Sequence, residues 1–135
     1  MVQRNIHGEW SISFTHRLCL AKISGETNEE GSKAYFNELQ EHLFLSPESD
    51  TTHWSYLLDC RDWSGASLDT WEANNSIMDW LIEHNCCLHA LVMKGDLQVY
   101  AVEKYMNQKG IIQYYFNYDE AYQACLDKLA AMRSQ

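Results

Sequence analysis

The stretch SYLLDCRDWSGASLDTWEA, residues 55–73, is the most informative segment of this chain for the fold. It opens with an apolar run typical of a buried strand, passes through polar residues and a glycine, and continues into a helical pattern. The part DCRDWSG is predicted to be a turn at the carboxyl end of the strand. In α/β sheets, loops at that end form the usual ligand crevice.

The segments on either side of this stretch extend the pattern. EWSISF and LCLAKISG predict an antiparallel hairpin, and HWSYLLDC, LHALVM and IIQYYFN predict three further strands. Helices are predicted over about 29–45, 69–84, 97–108 and 118–132, with caps at Asn28 or Thr27, Asp69, Asp96 and Asn117. Strand and helix alternate after the hairpin, which favours parallel strands joined by right-handed crossovers. The expected fold is therefore α/β, with a mixed, mostly parallel five-stranded sheet, an N-terminal hairpin and about four helices in one domain, 1–135. Pro47 is placed in a surface loop.

Composition limits the classes of partner. The 135 residues carry a formal net charge of −9, which argues against a nucleic-acid backbone and against electrostatic docking on anionic lipid. Insertion of apolar side chains into a membrane stays open. The five cysteines are odd in number and form no CxxC motif. With no recognisable basic-then-apolar leader, we expect reduced thiols in a cytoplasmic protein.

Two of the four helices are unusually apolar around their circumference. The second helix presents apolar side chains over an arc of about 200°, and the third over about half of its circumference, at ~100° per residue. One sheet does not bury so wide an arc, so the surplus faces a neighbouring helix, a ligand, a partner or lipid. Mutual burial of the two helices and an outside contact are left open as equal alternatives.

Several short motifs carry chemistry, and each also has a structural interpretation. In HNCCLH, Cys86 and Cys87 are adjacent and would point apart on a strand, so no metal site is expected. Asp59 and Asp62 could do acid–base work, but a local ion pair with the neighbouring Arg61 is the more common arrangement. No catalytic residue is therefore predicted, and no cofactor.

Two loop motifs are weighed in the same way. Lys94 and Gly95, at the start of the third helix, could hold an anion, although a tight turn with Asp96 as a cap explains the residues better. Ser64 could be phosphorylated at the start of the second helix, although a turn at Ser64-Gly65 explains the residues better.

Four segments carry a resemblance to a known family: AKISGETNEEGSKAYFNEL, YLLDCRDWSGASLDTWE, LHALVMKGD and YYFNYDEAYQACLDKL. Through them the sequence resembles the SpoIIAA-like family over almost the whole chain. That family is related in fold to STAS domains and is similar to CRAL-TRIO lipid-binding domains. The resemblance implies a mixed sheet with four helices, no enzyme activity, and a small apolar ligand held between mobile helices. Anti-sigma antagonists carry an Asp-Ser-Ser-Gly-type phosphorylation turn. Here the turn contains a single serine, Ser64, after Trp63.

We therefore predict a non-enzymatic module in which mobile helices hold a small apolar or lipid-like ligand. The predicted ligand-binding residues are Trp63, Trp71, Met78, Leu97, Ala101 and Tyr105. The protein is expected to be cytoplasmic, with peripheral membrane contact as a further option. Homodimerisation is also an option. No nucleic-acid partner is expected. The alternative is a STAS-like signalling protein that docks a protein partner, with Ser64 as its phosphorylation switch.

Overall fold

The computed structural model describes residues 6–45 and 53–133, so Pro47 lies outside the described residues. The described elements, in chain order, are β1 (Glu9–Thr15), β2 (Leu18–Thr27), α1 (Glu29–Leu45), β3 (Trp54–Ala66), α2 (Leu68–Glu83), β4 (Cys86–Val92), α3 (Asp96–Tyr105), β5 (Ile112–Tyr115) and α4 (Tyr118–Arg133). The predicted fold class is confirmed, with five strands and four helices in the described part of the chain.

The strands lie in the sheet in their chain order, from β1 at one edge to β5 at the other. β1 and β2 are antiparallel, and each later pair is parallel. The β1–β2 loop consists of His16 and Arg17, whose φ angles are 53° and 66°. Positive φ at both positions is the geometry of a type I′ turn, whose twist matches that of a hairpin.

Helices cover the sheet unequally. α1, α2 and α3 lie on one side, here called the three-helix face, against a core that includes Leu39, Trp54 and Leu81. α4 lies alone on the other side, the one-helix face, and packs over β3, β4 and β5 through Cys125 and Leu129.

The predicted turn DCRDWSG is wrong, because β3 continues as a strand to Ala66. Its second half pairs with β2, and the register shifts between Lys22 and Ser24 and again between Gly25 and Glu26. At each shift β3 contains one more residue than β2, which is the geometry of a β-bulge. Gly65 lies at the second bulge with a φ of 133°, a conformation that side chains rarely adopt.

The predicted helix caps are partly confirmed. The side-chain oxygen of Asn28 accepts a hydrogen bond from the backbone of Gly31 at 2.9 Å, and Asn117 accepts one from Glu120 at 3.0 Å. The predictions for Asp69 and Asp96 are wrong, since both residues lie inside the first turn of their helices. Acidic side chains in a first turn still stabilise a helix through its dipole.

Replacing Gly31 should test the fit of α1 against the N-terminal segment. A Cβ atom on Gly31 would lie 2.3 Å from the backbone oxygen of His7, which is closer than real contacts allow. We expect Gly31→Ala to lower the free energy of unfolding by about 1–3 kcal/mol in urea denaturation, because the backbone must shift. Gly110→Ala meets no atom within 4 Å and serves as the control, with a change under about 0.5 kcal/mol. Equal stability of the two variants would contradict this account of α1.

Candidate functional site

A cavity of about 100 Å³ lies between the sheet and the helices of the three-helix face. Its lining is mainly aromatic and aliphatic, with the side chains of β3 and β4 as its floor and those of α1, α2 and α3 as its walls. The floor includes Tyr56, Leu58, Cys60, His89 and Leu91, and the walls include Tyr35, Trp71, Ile77, Met78 and Val102.

Three polar rings meet inside this apolar lining. The hydroxyls of Tyr35 and Tyr56 share a hydrogen bond, and burial raises the pKa of both phenols, so both stay neutral. The imidazole of His89 stacks on the ring of Tyr56 with centroids 4.2 Å apart and planes inclined by 15°. The Nδ1 atom of His89 lies 3.3 Å from the backbone oxygen of Tyr56.

The buried imidazole of His89 is a neutral group at ordinary pH. Burial lowers the pKa of His89 to about 4, because an imidazolium cation would lose its hydration there, and the hydrogen bond to Tyr56 only partly offsets the loss. A neutral imidazole has one donor and one acceptor nitrogen. Together with the two phenols it gives the cavity a small polar group within an otherwise apolar wall, the usual make-up of a small-molecule site.

The six predicted ligand-binding residues divide into two groups. Trp63, Trp71 and Met78 are buried and line the cavity, with the rings of Trp63 and Trp71 in edge contact at 6.0 Å. Leu97 is 85% exposed, and neither it nor Ala101 or Tyr105 belongs to the lining. Tyr105 contacts the site indirectly, since its ring stacks on Trp71 at 5.4 Å.

The wide apolar arcs of α2 and α3 are buried to different extents. On α2, the side chain of Trp80 packs edge-on against Phe36 and Phe44 of α1, at 5.4 and 6.3 Å. On α3, Val102 is buried, whereas Leu97 and Tyr100 face solvent. The surplus on α2 is therefore largely covered by α1, and the surplus on α3 remains at the surface.

Side-chain amides attach α3 to its neighbours. Gln98 donates from Nε2 to the backbone oxygens of Cys60 and Trp63 at 2.7 and 2.8 Å, which holds the first turn of α3 against the end of β3. At the other end, Asn75 of α2 donates to the backbone oxygen of Tyr105 at 3.0 Å and accepts from the backbone of Asn107 at 2.7 Å. This second contact explains why α3 ends before the predicted residue 108.

The end of β3, the first turn of α3, which Gln98 attaches to it, and the first turn of α2, which follows β3 directly, are here called the carboxyl-edge surface. It comprises Ser64, Leu68, Leu97 and Tyr100, all of which are exposed. Leu68 and Tyr100 expose 71% and 63% of their area. Apolar side chains this open to water also occur elsewhere, as at Leu45, but at this end of the sheet they accompany an exposed serine.

The carboxylates considered for catalysis lie in ion pairs and do not line the cavity. Burial alone would raise the pKa of Asp59, but two side-chain hydrogen bonds from Arg61, at 2.8 and 2.9 Å, outweigh it and lower that pKa. The guanidinium of Arg61 also lies over the ring of Tyr118 at 5.6 Å. Asp62 pairs with Lys22 at 2.9 Å on the surface. Both carboxylates thus occupy structural positions.

Sequence reasoning missed the polar rings of the cavity. Tyr35 is part of an apolar helical stripe, and Tyr56 and His89 lie inside strands that read as ordinary buried segments. The strand pairing places Tyr56 beside His89 in adjacent strands. A polar ring within each of two buried strands is the feature that could have indicated the site.

The adjacent Cys86 and Cys87 do point to opposite faces of the sheet, as their spacing on a strand predicts. Among residues 6–45 and 53–133, no three His, Cys, Asp or Glu side chains form a group suited to a metal ion. No helix in the same residues is long and apolar enough to span a bilayer.

Comparison with solved structures identifies the architecture. An uncharacterised protein of the DUF3478 family with a SpoIIAA-like fold, from Shewanella loihica PV-4, matches with a TM-score of 0.64 and 15% identity, over 88% of this chain and 95% of that one. The chain has a SpoIIAA-like fold. No protein-family profile matches it, and comparison with curated proteins gave no significant match.

Two further matches carry functional names. An anti-sigma factor antagonist from Mycobacterium paratuberculosis matches with a TM-score of 0.65 and 12% identity, over 90% of this chain and 96% of that one. The anti-sigma factor antagonist SpoIIAA in its unphosphorylated form matches with a TM-score of 0.62 and 8% identity, over 88% and 98%. The SpoIIAA-like, STAS-type fold suggested by the sequence is therefore confirmed.

Acidification should reveal the buried imidazole. His89 takes up a proton near pH 6.5 in the unfolded chain but only near pH 4 in the folded one, so its stabilising contribution is complete above about pH 6.5 and is lost as the pH falls toward 4. The loss is about 3 kcal/mol, measurable by urea denaturation at pH 7, 6, 5 and 4.

The His89→Gln variant should lack this part of the pH dependence, whatever its own stability at pH 7. His53→Gln alters an exposed position and should keep the wild-type slope. An unchanged slope in His89→Gln would contradict a neutral, buried His89.

Proposed function

We propose that this chain is a non-enzymatic docking module that binds a protein partner at its carboxyl-edge surface. The observation that carries the proposal is the exposure of Leu68, Leu97 and Ser64, which belong to the first turns of α2 and α3 and to the end of β3. An anti-sigma factor antagonist is, by its name, a protein that acts against another protein, and two such proteins share this fold. Protein interfaces commonly centre on a few apolar or aromatic anchors.

The surroundings of this surface suggest the chemistry of the partner. Asp62, Asp69, Asp96 and Lys94 are all exposed and lie within three residues of Ser64, Leu68 or Leu97 in the sequence. The whole chain carries a net charge of −9. A partner with an apolar contact patch and a basic rim would therefore associate fastest, because complementary charge steers the encounter.

Ser64 supports a switch within the same proposal. Its side chain is exposed at the end of β3, beside the acidic Asp62. Phosphorylation would add a charge of about −1.5 to −2. The added charge would attract a basic rim, but we expect its strong hydration to disrupt the apolar contact made by Leu68 and Leu97 and so to weaken binding overall.

A second candidate function rests on the cavity. We propose that the cavity admits a small, mostly apolar molecule that hydrogen-bonds to His89 or to the Tyr35–Tyr56 pair. A cavity of about 150 Å³ is known to hold benzene, and drug-sized ligands need about 300 Å³ or more. At about 100 Å³, this site is smaller than the benzene cavity, so a single ring is the largest occupant that we expect, with a small adjustment of the lining. A lipid chain would enter only if α3 moved outward from Val102.

The docking proposal predicts that specific substitutions on the carboxyl-edge surface weaken binding of the protein partner. Leu97→Asp places a charge in the apolar contact and should weaken binding at least about tenfold, measured first by quantitative affinity capture and then by titration of the recovered protein. Leu126→Asp changes a partly exposed residue on the one-helix face and is the matched control. Ser64→Asp should also weaken binding, and Ser64→Ala should not. Full retention of the partner by a Leu68→Asp, Leu97→Asp double variant would refute the proposal.

The cavity proposal predicts stabilisation by small aromatic molecules. Benzene and phenol at millimolar concentration should raise Tm, because binding to the folded state stabilises it by mass action, and phenol should act more strongly through its hydroxyl. Val102→Phe fills the cavity and should abolish the effect, whereas Leu97→Ala lies outside the lining and should preserve it. No rise in Tm with either molecule, or an unchanged rise in Val102→Phe, would refute ligand binding.

A further inference from the structure

The outer edge of β1 is a long and regular sheet edge. β1 contributes seven residues, Glu9–Thr15, and no described strand lies on its outer side. Its pairing with β2 runs from Glu9 to Thr15 without a register shift. The bulges of the sheet lie one strand further in, between β2 and β3. The edge is therefore straight over its whole length.

The backbone groups at this edge can be assigned from the hairpin. In a two-residue hairpin the residues that flank the turn, here Thr15 and Leu18, form a hydrogen-bonded pair. Hydrogen-bonded and non-hydrogen-bonded pairs then alternate along the ladder. Trp10, Ile12 and Phe14 therefore direct their N–H and C=O groups away from β2, toward the open side.

Natural sheets protect such edges by shortness, bulges, proline or lysine. β5, at the opposite edge, has four residues. β1 has none of these features, since its sequence EWSISFT contains neither proline nor lysine and its ladder has no bulge. An unprotected edge of this length favours pairing with another strand.

The side chains of β1 on the three-helix face are held in place and remain half-buried. Trp10 donates from its indole to Glu38 of α1 at 3.1 Å and packs edge-on against Tyr35 at 5.9 Å. Phe14 packs against Trp54 with ring centroids 5.6 Å apart. Fixed apolar side chains with area left to bury make pairing at this edge favourable.

We propose that two copies of this chain pair antiparallel through β1, with Ile12 facing Ile12 of the second copy. In this register Trp10 lies opposite Phe14 of the second copy, and Ser11 lies opposite Ser13. Glu9 lies opposite Thr15, so no like charges face each other. The contact between the two β1 strands is here called the seam. Trp10, Ile12 and Phe14, whose backbone groups face outward, form hydrogen-bonded pairs across it, which gives about six backbone hydrogen bonds at two per pair.

This register is self-complementary, as a two-fold symmetric interface requires. Aromatic cross-strand pairs are among the more stabilising ones in antiparallel sheets. A parallel arrangement in register would instead place Glu9 opposite Glu9 of the second copy. Shifting the two-fold axis to Ser11 or Ser13 would leave end residues of β1 without a partner. The charge pattern and the length of overlap thus favour one arrangement.

The exposed serines of β1 allow a matched test. S11E/S13E places acidic side chains opposite each other at two points of the seam. S11E/S13K differs at one position and places opposite charges there instead. In both variants the changed residue 11 faces Lys22 within the same chain, so that contact is the same. Ile12→Pro removes an outward N–H without taking a hydrogen bond from β2.

Sedimentation velocity of the full chain over about 1–500 μM should show wild-type protein shifting toward a mass of twice 15.8 kDa. The dimer Kd of S11E/S13E should rise about tenfold or more, and that of S11E/S13K should stay within about threefold of wild type. Each copy carries a net charge of −9, so two copies repel each other. Higher salt screens this repulsion and should therefore strengthen the wild-type dimer.

Circular dichroism will identify the variants that remain folded. Two outcomes would overturn the proposal. One is a wild-type chain that stays monomeric at every concentration. The other is a folded S11E/S13E variant that dimerises as well as S11E/S13K, because the seam would then lie elsewhere. If Ile12→Pro does not fold, the two serine variants still decide the question.

Discussion

The structure depends on the burial of β3 on both of its faces. This strand lies at the centre of the sheet, with Trp54 and Tyr56 toward the three helices and Ser55 and Leu57 toward α4. Both faces must be covered because all four side chains are at most 1% exposed. Even Ser55 is satisfied there, since its hydroxyl donates to the backbone oxygen of Cys125 at 3.2 Å. A helix layer on each side of the sheet follows from this requirement.

The cavity is a consequence of the same arrangement. Large rings on adjacent strands, Tyr56 and His89, stack on each other, and the Trp71 ring of α2 packs edge-on with Trp63. A space remains between these rings and Val102 of α3. The space contains the Tyr35–Tyr56 hydrogen bond, a polar feature that does little for core packing. It is therefore the internal location most suited to a ligand.

The two surfaces proposed as interfaces differ in chemistry. The carboxyl-edge surface has isolated apolar side chains among acidic ones, an arrangement suited to reversible contact with a different protein. The outer edge of β1 has ordered backbone groups and self-complementary side chains, an arrangement suited to a second copy. The surfaces are separate, since one lies on β3, α2 and α3 and the other on β1. Dimerisation would leave the carboxyl-edge surface of each copy accessible.

Local sequence patterns were sufficient for the elements and their order. Apolar alternation and the caps at Asn28 and Asn117 are local properties, so strands, helices and fold class could be predicted. The extension of β3 through DCRDWSG could not, because it depends on pairing with β2 across more than thirty residues. The sequence likewise identified Trp71 and Met78, because the wide apolar arc of the second helix is visible on a helical wheel, and Trp63 through the resemblance to the SpoIIAA-like family.

Tertiary structure alone decided which apolar residues enclose the cavity and which face water. Leu97 and Val102 belong to the same apolar surface of one helix, yet one is 85% exposed and the other 4%. Two amides, Gln98 and Asn75, fix the rotation and end of α3 through bonds to distant backbone atoms. A hydrogen bond between residues far apart in the chain produces no periodic pattern in the sequence. Local sequence patterns therefore determine the sheet and the helices that cover it. The cavity and its lining depend on how these layers pack against each other.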